Sequence, residues 1–279
     1  MENIFFVPEN ARWSKIASAA HTPEIGTVID DAMRAIEKEN TTLKNVLPKN
    51  YASPDLDKRV LGDVVDLFTN MDMSDTEEGK DLLGRTYEYC IAQFAAYEGV
   101  KGGEFYTPSS IVKTIVAILK PFNNCRVYDP CCGSGGMFVQ TAHYIEKHKA
   151  QGRQMNLRAY GVEKTGATVR LAKMNLVLNN VRGTITHANS YYRDPYDSFG
   201  NFDYVMANPP FNVDGVELDQ VKDQPRFNTY GVPQNKTKNK KKDAKETVPN
   251  GNYLWINQFA TALNDTGRAA LVMANSASD

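Results

Sequence analysis

Cys125-Arg126-Val127-Tyr128-Asp129-Pro130-Cys131-Cys132-Gly133-Ser134-Gly135-Gly136 reads as a short strand that ends on an acid and passes through a glycine turn into a helix. The strand covers Cys125–Asp129, and the helix runs from about Gly136 to Lys149. Upstream, Thr107 caps and Pro108 opens a helix carrying Ile111, Val112, Ile115, Val116 and Leu119. Downstream, Leu157–Val162 is a second strand, Lys164–Asn179 a helix, Thr184–His187 a third strand and Phe202–Ala207 a fourth. A helix from Tyr253 to Leu263 leads into a fifth strand, Ala269–Ala274. This alternation predicts an α/β fold with a doubly wound, mostly parallel sheet. Ligands of such sheets bind at the carboxyl ends of the strands. The residues that stand out gather there.

Glycines between a strand and a helix let the backbone approach a ligand and leave helix N–H groups available to it. The spacing Gly-x-Gly-x-x-Gly is absent because Gly135 and Gly136 are contiguous, and no Gly-Lys-Ser/Thr ending follows. Phosphate binding is poorly supported. Asp129 would repel a phosphate but suits a ligand that carries an ammonium and a sulfonium. Glu163 closes the second strand in Tyr160-Gly161-Val162-Glu163. A carboxylate there can accept both ribose hydroxyls of an adenosine; alternatively it is an acid favoured by the dipole of the next helix. Asn208-Pro209-Pro210-Phe211 follows the fourth strand. Its prolines stiffen the turn and remove two backbone donors, leaving the Asn208 side chain and the Pro209 carbonyl as outward acceptors. Acceptors beside an aromatic ring suit a planar amino group. A plain strand-ending turn is the alternative.

Composition sets the wider limits. The 279 residues are 42% hydrophobic and 23% charged, as in a soluble globular protein. No apolar stretch nears the length of a membrane span and no signal peptide is evident, so a cytoplasmic protein without a membrane partner is expected. A net charge of −1 argues against a surface basic throughout. Six lysines fall between Lys236 and Lys245, inside a polar stretch from about Val213 to Asn250. That stretch reads as a mobile insertion, either merely solvated or a basic arm that meets phosphates. Cys90, Cys125, Cys131 and Cys132 and the four histidines show no metal-ligand or disulfide spacing, so free thiols and no metal are expected.

Before residue 100 every apolar pattern is helical. Thr22-Pro23-Glu24 gives a cap, a first-turn proline and an early acid, followed by the face Ile25, Val28, Ile29, Ala32, Met33 and Ile36. Val60, Leu61, Val64, Val65 and Phe68 form a second stripe; Leu82, Leu83, Tyr87, Cys90, Ile91 and Phe94 form a third. Residues 1–100 are expected to form a helical domain or part of one, and residues 101–279 the α/β domain.

Gly103-Glu104-Phe105-Tyr106-Thr107-Pro108, the Asp129–Gly136 loop and Asn208-Pro209-Pro210-Phe211, in that order, resemble the motifs of N6-adenine DNA methyltransferases. More narrowly they resemble the modification subunit of type I restriction-modification systems, over most of the chain. The resemblance implies the S-adenosylmethionine-dependent methyltransferase fold and S-adenosylmethionine as methyl donor. It implies that Glu104, Tyr106, Thr107 and Pro108 cover the methionine end of the donor. Asp129, Gly133, Ser134 and Gly135 would line its amino-acid moiety, and Glu163 its ribose. Asn189 stands where relatives often place an Asp that contacts the donor's adenine, a departure that leaves room for one hydrogen bond. Asn208, Pro209, Pro210 and Phe211 would form the catalytic motif acting on an adenine flipped out of double-stranded DNA. Asp194-Pro195-Tyr196 lacks the second proline and follows no strand, so it is set aside.

The resemblance further implies partners, a specificity subunit that reads the target and a restriction subunit that cleaves. Methyltransferases of protein glutamine or ribosomal RNA also carry Asn-Pro-Pro at this strand end; Gly103–Pro108 favours DNA. A non-catalytic DNA- or partner-docking fragment is a second alternative. The chain is expected to lack the last strands of the domain, which would leave one sheet edge unpaired.

Overall fold

The structure, a computed structural model, describes residues 5–71, 77–98, 106–234 and 246–273. The chain divides into two compact units, Met1–Arg85 and Thr86–Asp279.

The first unit contains α1 (Trp13–Ser18), α2 (Ile25–Glu39), α3 (Lys58–Thr69) and the start of α4 (Glu77–Glu98), which continues into the second unit. Ile25, Ile29 and Ala32 of α2 pack with Ile16, Leu61 and Val65 in one core. Sequence and structure differ at three places. Thr22-Pro23-Glu24 precedes α2 rather than capping it, because the Thr22 hydroxyl donates to the Ala19 carbonyl at 2.9 Å in a separate turn. In α3, Leu61 and Val65 are buried while Val60 and Val64 are 55% and 42% exposed, so the apolar stripe is wider than the face that packs. In α4, Ile91 is buried but Cys90 and Phe94 are exposed; Leu82 and Leu83 lie outside the described side chains.

The second unit adds α5 (Ser109–Leu119), β1 (Arg126–Asp129), α6 (Gly136–His148), β2 (Arg158–Glu163), α7 (Gly166–Leu178), β3 (Gly183–His187) and β4 (Phe202–Ala207). Two short helices follow, α8 (Leu218–Val221) and α9 (Pro225–Asn228), then α10 (Asn252–Ala262) and β5 (Leu263–Leu271). The five strands form one sheet in the order β3-β2-β1-β4-β5, every neighbouring pair parallel. From Tyr204 onward the side chains of β4 alternate between two cores. Val127, Tyr204 and Met206 belong to the core that includes α5, α6 and α7 residues, and Tyr128, Val205 and Ala207 to the one with α10 residues such as Phe259. Phe202, ahead of a register irregularity, also belongs to the second core. The sheet is doubly wound as expected, and its strand order reverses between β1 and β4.

Other corrections bear on the site. Helix α5 begins at Ser109, because the Ile111 and Val112 amides donate to the Pro108 carbonyl; Thr107 is left outside the helix. Strand β5 begins at Leu263, which already pairs with Phe202, and Ala274 lies outside the described residues. The stretch after Val213 is ordered wherever it is described. Val216, Leu218, Val221, Phe227 and Val248 form a small buried core with Tyr191, Leu254 and Trp255. An antiparallel bridge between Glu217 and Thr247 closes it, with Val248 N–H donating to the Val216 carbonyl at 2.8 Å. Scattered apolar residues at irregular spacing built this core, and the polar background hid them. Lys236–Lys245 lie outside the described residues. Among the described residues no helix is long and apolar enough to cross a membrane.

Backbone contact is closest in the first unit at Gly26, where a Cβ would stand 2.2 Å from the Tyr51 carbonyl oxygen and 2.9 Å from Ala52 Cα. Buried Asp30 holds the same loop, accepting from the Tyr51 and Ala52 amides at 2.9 and 3.2 Å. Neither backbone can yield without losing those bonds. Gly26→Ala should therefore cost the first unit about 2 kcal/mol or more by overpacking, read as a lower urea midpoint with an unchanged slope.

Candidate active site at the carboxyl ends of β1 and β4

Parallel pairing brings the strand-end residues to one edge. Asp129 ends β1, Glu163 ends β2, Asn189 follows β3 and Asn208 follows β4. The glycine turn bends back beneath them. Cys132 N–H donates to the Val162 carbonyl at 3.0 Å, and Gly135 N–H to the Cys132 carbonyl at 2.8 Å. Gly133 and Gly135 adopt positive φ of 53° and 80°, which a residue with a side chain resists. Gly135 caps α6, and a Cβ there would press on Leu176 Cδ1 at 3.0 Å. Beside it Gly136 faces open space, with no atom within 4 Å of where its Cβ would be.

Two clefts meet around this turn. The first is lined by Tyr106, Thr107, Asp129, Gly133, Ser134 and Asn208, together with Cys131, Cys132, Gly136 and Met137. The second, larger hollow is lined by Glu163, Asn189, Ser190, Tyr191, Pro210 and Trp255 among others. Cys131 lines both. Pro108 and Gly135 line neither, and Glu104 lies outside the described residues. Phe211 is 38% exposed on the loop beyond Pro210. Sequence reasoning missed Cys131 as a wall residue and Tyr191 and Trp255 altogether. Asn189 pointed to the segment, but nothing in an apolar helix pattern distinguishes Trp255 from core.

The two acids sit in different surroundings. Asp129 is buried, accepts the Cys131 amide at 3.0 Å, and is pushed up to about 8, first by burial and then by the Glu163 carboxylate. Burial and these acids also push the Cys131 and Cys132 thiols well up, so both stay neutral. Glu163 is half-buried, accepting from Gly133 N–H at 3.2 Å and Thr165 N–H at 2.7 Å. An uncharged glycine loop with a proton-hungry acid is a poor phosphate cradle and a good receiver of a cation.

Asn208 is held differently. Its Nδ2 donates to Thr107 Oγ1 at 3.2 Å, while its Oδ1 is buried without a hydrogen-bond partner among the described residues. An unpaired buried acceptor costs about 1–3 kcal/mol, so its survival at a cleft wall points to a ligand donor. The following residues are braced. Asn212 N–H donates to Asn252 Oδ1 at 2.9 Å, and Asn250 and Asn252 both donate to Asn212 Oδ1. Asp194-Pro195-Tyr196 is structural, since the Tyr196 hydroxyl donates to the Thr184 and Gly161 carbonyls at 2.8–2.9 Å. Among the described residues no His, Cys, Asp and Glu cluster could hold a metal.

Comparison with known proteins adds the following. Residues 78–277 match the family model described as N-6 DNA Methylase, and residues 1–68 match that of the HsdM N-terminal domain. The MjaIX methylase subunit, a type I restriction enzyme of Methanocaldococcus jannaschii, is 36% identical over 99% of this chain and 48% of its own length. The HindI methylase subunit of Haemophilus influenzae is 34% identical over 96% of this chain and 61% of its own length. The chain thus spans about half to three-fifths of the curated relatives it matches. Its fold is that of the type I restriction-modification methyltransferase subunit from Streptococcus thermophilus, with TM-score 0.74 and 22% identity over 96% of this chain and 56% of that one.

Asp129 carries a pH signature. Its folded value, about 8, lies above the ordinary 3.8, so the folded state holds a proton that the unfolded chain has lost between those values. Its contribution to stability is complete below about pH 4 and is lost as pH rises towards 8. Denaturant midpoints of the ligand-free chain, measured across this range, should fall with pH, and Asp129→Asn should flatten the fall.

Proposed function

This chain belongs to the N-6 DNA methylase family, and from that premise we propose that it transfers a methyl group from S-adenosylmethionine to the N6 amino group of adenine in double-stranded DNA. It does so as the modification subunit of a type I system, with a specificity subunit choosing the target and a restriction subunit cleaving. The observation that carries this reading is the buried, unpartnered Asn208 Oδ1 in the same cleft as Asp129 and the glycine turn.

The residues fit the donor. Asp129 would face its ammonium, the Gly133–Ser134 backbone its amino-acid chain, and Tyr106 and Thr107 its methionine end. Glu163 would take the ribose hydroxyls, exchanging one of its present amide bonds, and Asn189 the adenine edge. When bound, S-adenosylmethionine supplies an electrophilic methyl on a sulfonium.

The chain's own part is to make a poor nucleophile competent. The exocyclic nitrogen of adenine has its lone pair drawn into the ring. Asn208 Oδ1 and the Pro209 carbonyl accept its two hydrogens and favour a more tetrahedral nitrogen. Thr107 fixes the Asn208 amide so that oxygen, not nitrogen, faces the base. Phe211 stacks on the flipped ring, which leaves the duplex at about a few kcal/mol. Positioning and fixed dipoles do most of the work, and the surplus proton leaves the product amine afterwards. The family match over 78–277 and the methylase relatives favour DNA over a protein or ribosomal RNA substrate.

Incubating the methylase with labelled donor and duplex DNA, with and without a specificity subunit, should give labelled N6-methyladenine only with the partner. Asn208→Ala should lower transfer by at least about 100-fold while donor affinity barely changes; equal loss of both refutes the assigned role. Because a cation beside Asp129 favours its ionised form, donor binding at pH 7 should also release roughly one proton. Calorimetry in buffers of different ionisation heat reads this release, and Asp129→Asn should abolish it.

A further inference from the structure

Trp255 looks like core, since its indole is only 3% exposed on α10. Yet it touches both halves of the site. Its ring lies against Tyr191, centroids 4.5 Å apart at 39°, and its Nε1–H donates to the Pro210 carbonyl at 3.3 Å. Pro210 sits in the strand-end tetrapeptide, where two prolines leave no amide to pin the turn between Asn208 and Phe211. Anchorage must come from outside, and one helix provides it twice. Asn252 receives the Asn212 N–H, and Trp255, three residues on along the same face, holds Pro210.

The donor side of the indole is equally fixed. Arg226, buried, donates through its guanidinium to the Ser190 and Tyr191 carbonyls. The Tyr191 hydroxyl is packed against Gly251, where a Cβ would stand 2.6 Å from its oxygen. Packed groups therefore run without a break from Arg226 through Tyr191 and Trp255 to Pro210.

We infer that Trp255 is a positioning residue for methyl transfer. Its indole N–H fixes the Pro210 carbonyl, and with it Asn208 and Phe211, relative to the hollow that Tyr191 lines. What the two sides bind rests on the function proposed above; the restraint itself does not.

Trp255→Phe keeps a ring on Tyr191 and removes only the N–H. Hydrogen exchange in the peptide spanning 208–213 should become about fivefold faster, the worth of one neutral hydrogen bond, with β4 and the rest of α10 unchanged. The dissociation constant for S-adenosylhomocysteine, read by calorimetry, should stay within about twofold while kcat falls about tenfold at unchanged donor KM. Unchanged exchange at 208–213 overturns the inference. So does a loss spread through β4 and α10 with weakened S-adenosylhomocysteine binding, which marks a packing residue. If the unsubstituted chain does not bind S-adenosylhomocysteine, the donor assignment fails, and the exchange comparison still decides the role of Trp255. Should Trp255→Phe not fold, the chain's two tryptophans offer a second measurement. In Trp13→Phe the single indole N–H should exchange slowly by NMR; exchange at the rate of free indole overturns the assignment.

Discussion

The pairing of β1 with β4 governs this molecule. Val127 lies beside Tyr204 and Tyr128 beside Val205, although about 77 residues of chain separate each pair. That register sets Asp129 level with Met206, so Asn208 lies roughly 7 Å further along the strand direction and one strand spacing, about 4.8 Å, across. The spacing between the Asp129 carboxyl and the Asn208 amide is thereby set by the sheet itself. The order β3-β2-β1-β4-β5 does the rest, because chain entering β2 and chain entering β4 leave in opposite directions and open a crevice between them. A slip of one residue would turn Asp129 to the opposite face of the sheet.

The site is built at a cost that the cores offset. A buried carboxyl pushed up by its surroundings and an amide oxygen with no hydrogen-bond partner among the described residues meet at one end of the sheet. Each is a local violation of the rules followed elsewhere in the fold. Large buried side chains on both sheet faces, Tyr128, Phe138, Phe202 and Met206 among them, supply the stability against which these violations persist.

Much of this was legible in the sequence. Phe202–Ala207 is the strand that its apolar run announced, and α6 starts at Gly136 as the glycine turn required. The first unit carries a helical core along the Ile25 to Ala32 face. Asp129, Glu163, Asn189 and Asn208 stood out because polar residues at strand ends are legible one strand at a time. What escaped was tertiary. Thr107 reads as a cap by local propensity, and only the fold turns its hydroxyl to Asn208. The small core around Phe227 is assembled from positions too scattered to show a period. Trp255 and Tyr191 are ordinary apolar residues until the sheet places them at the seam of two clefts.

The contact between Tyr191 and Gly251 couples two distant stretches of chain. The hydroxyl fills the space that a side chain at 251 would need, and Gly251 is itself tied by its N–H to the Val213 carbonyl at 3.0 Å. A methyl group at 251 would stand 2.6 Å from the Tyr191 hydroxyl oxygen and 3.0 Å from the Val213 carbonyl oxygen, so the ring and the loop would both have to give way. The two positions lie sixty residues apart, so no local pattern joins them. A change at 251 is therefore felt at 191, and the packing of this site constrains the two positions together.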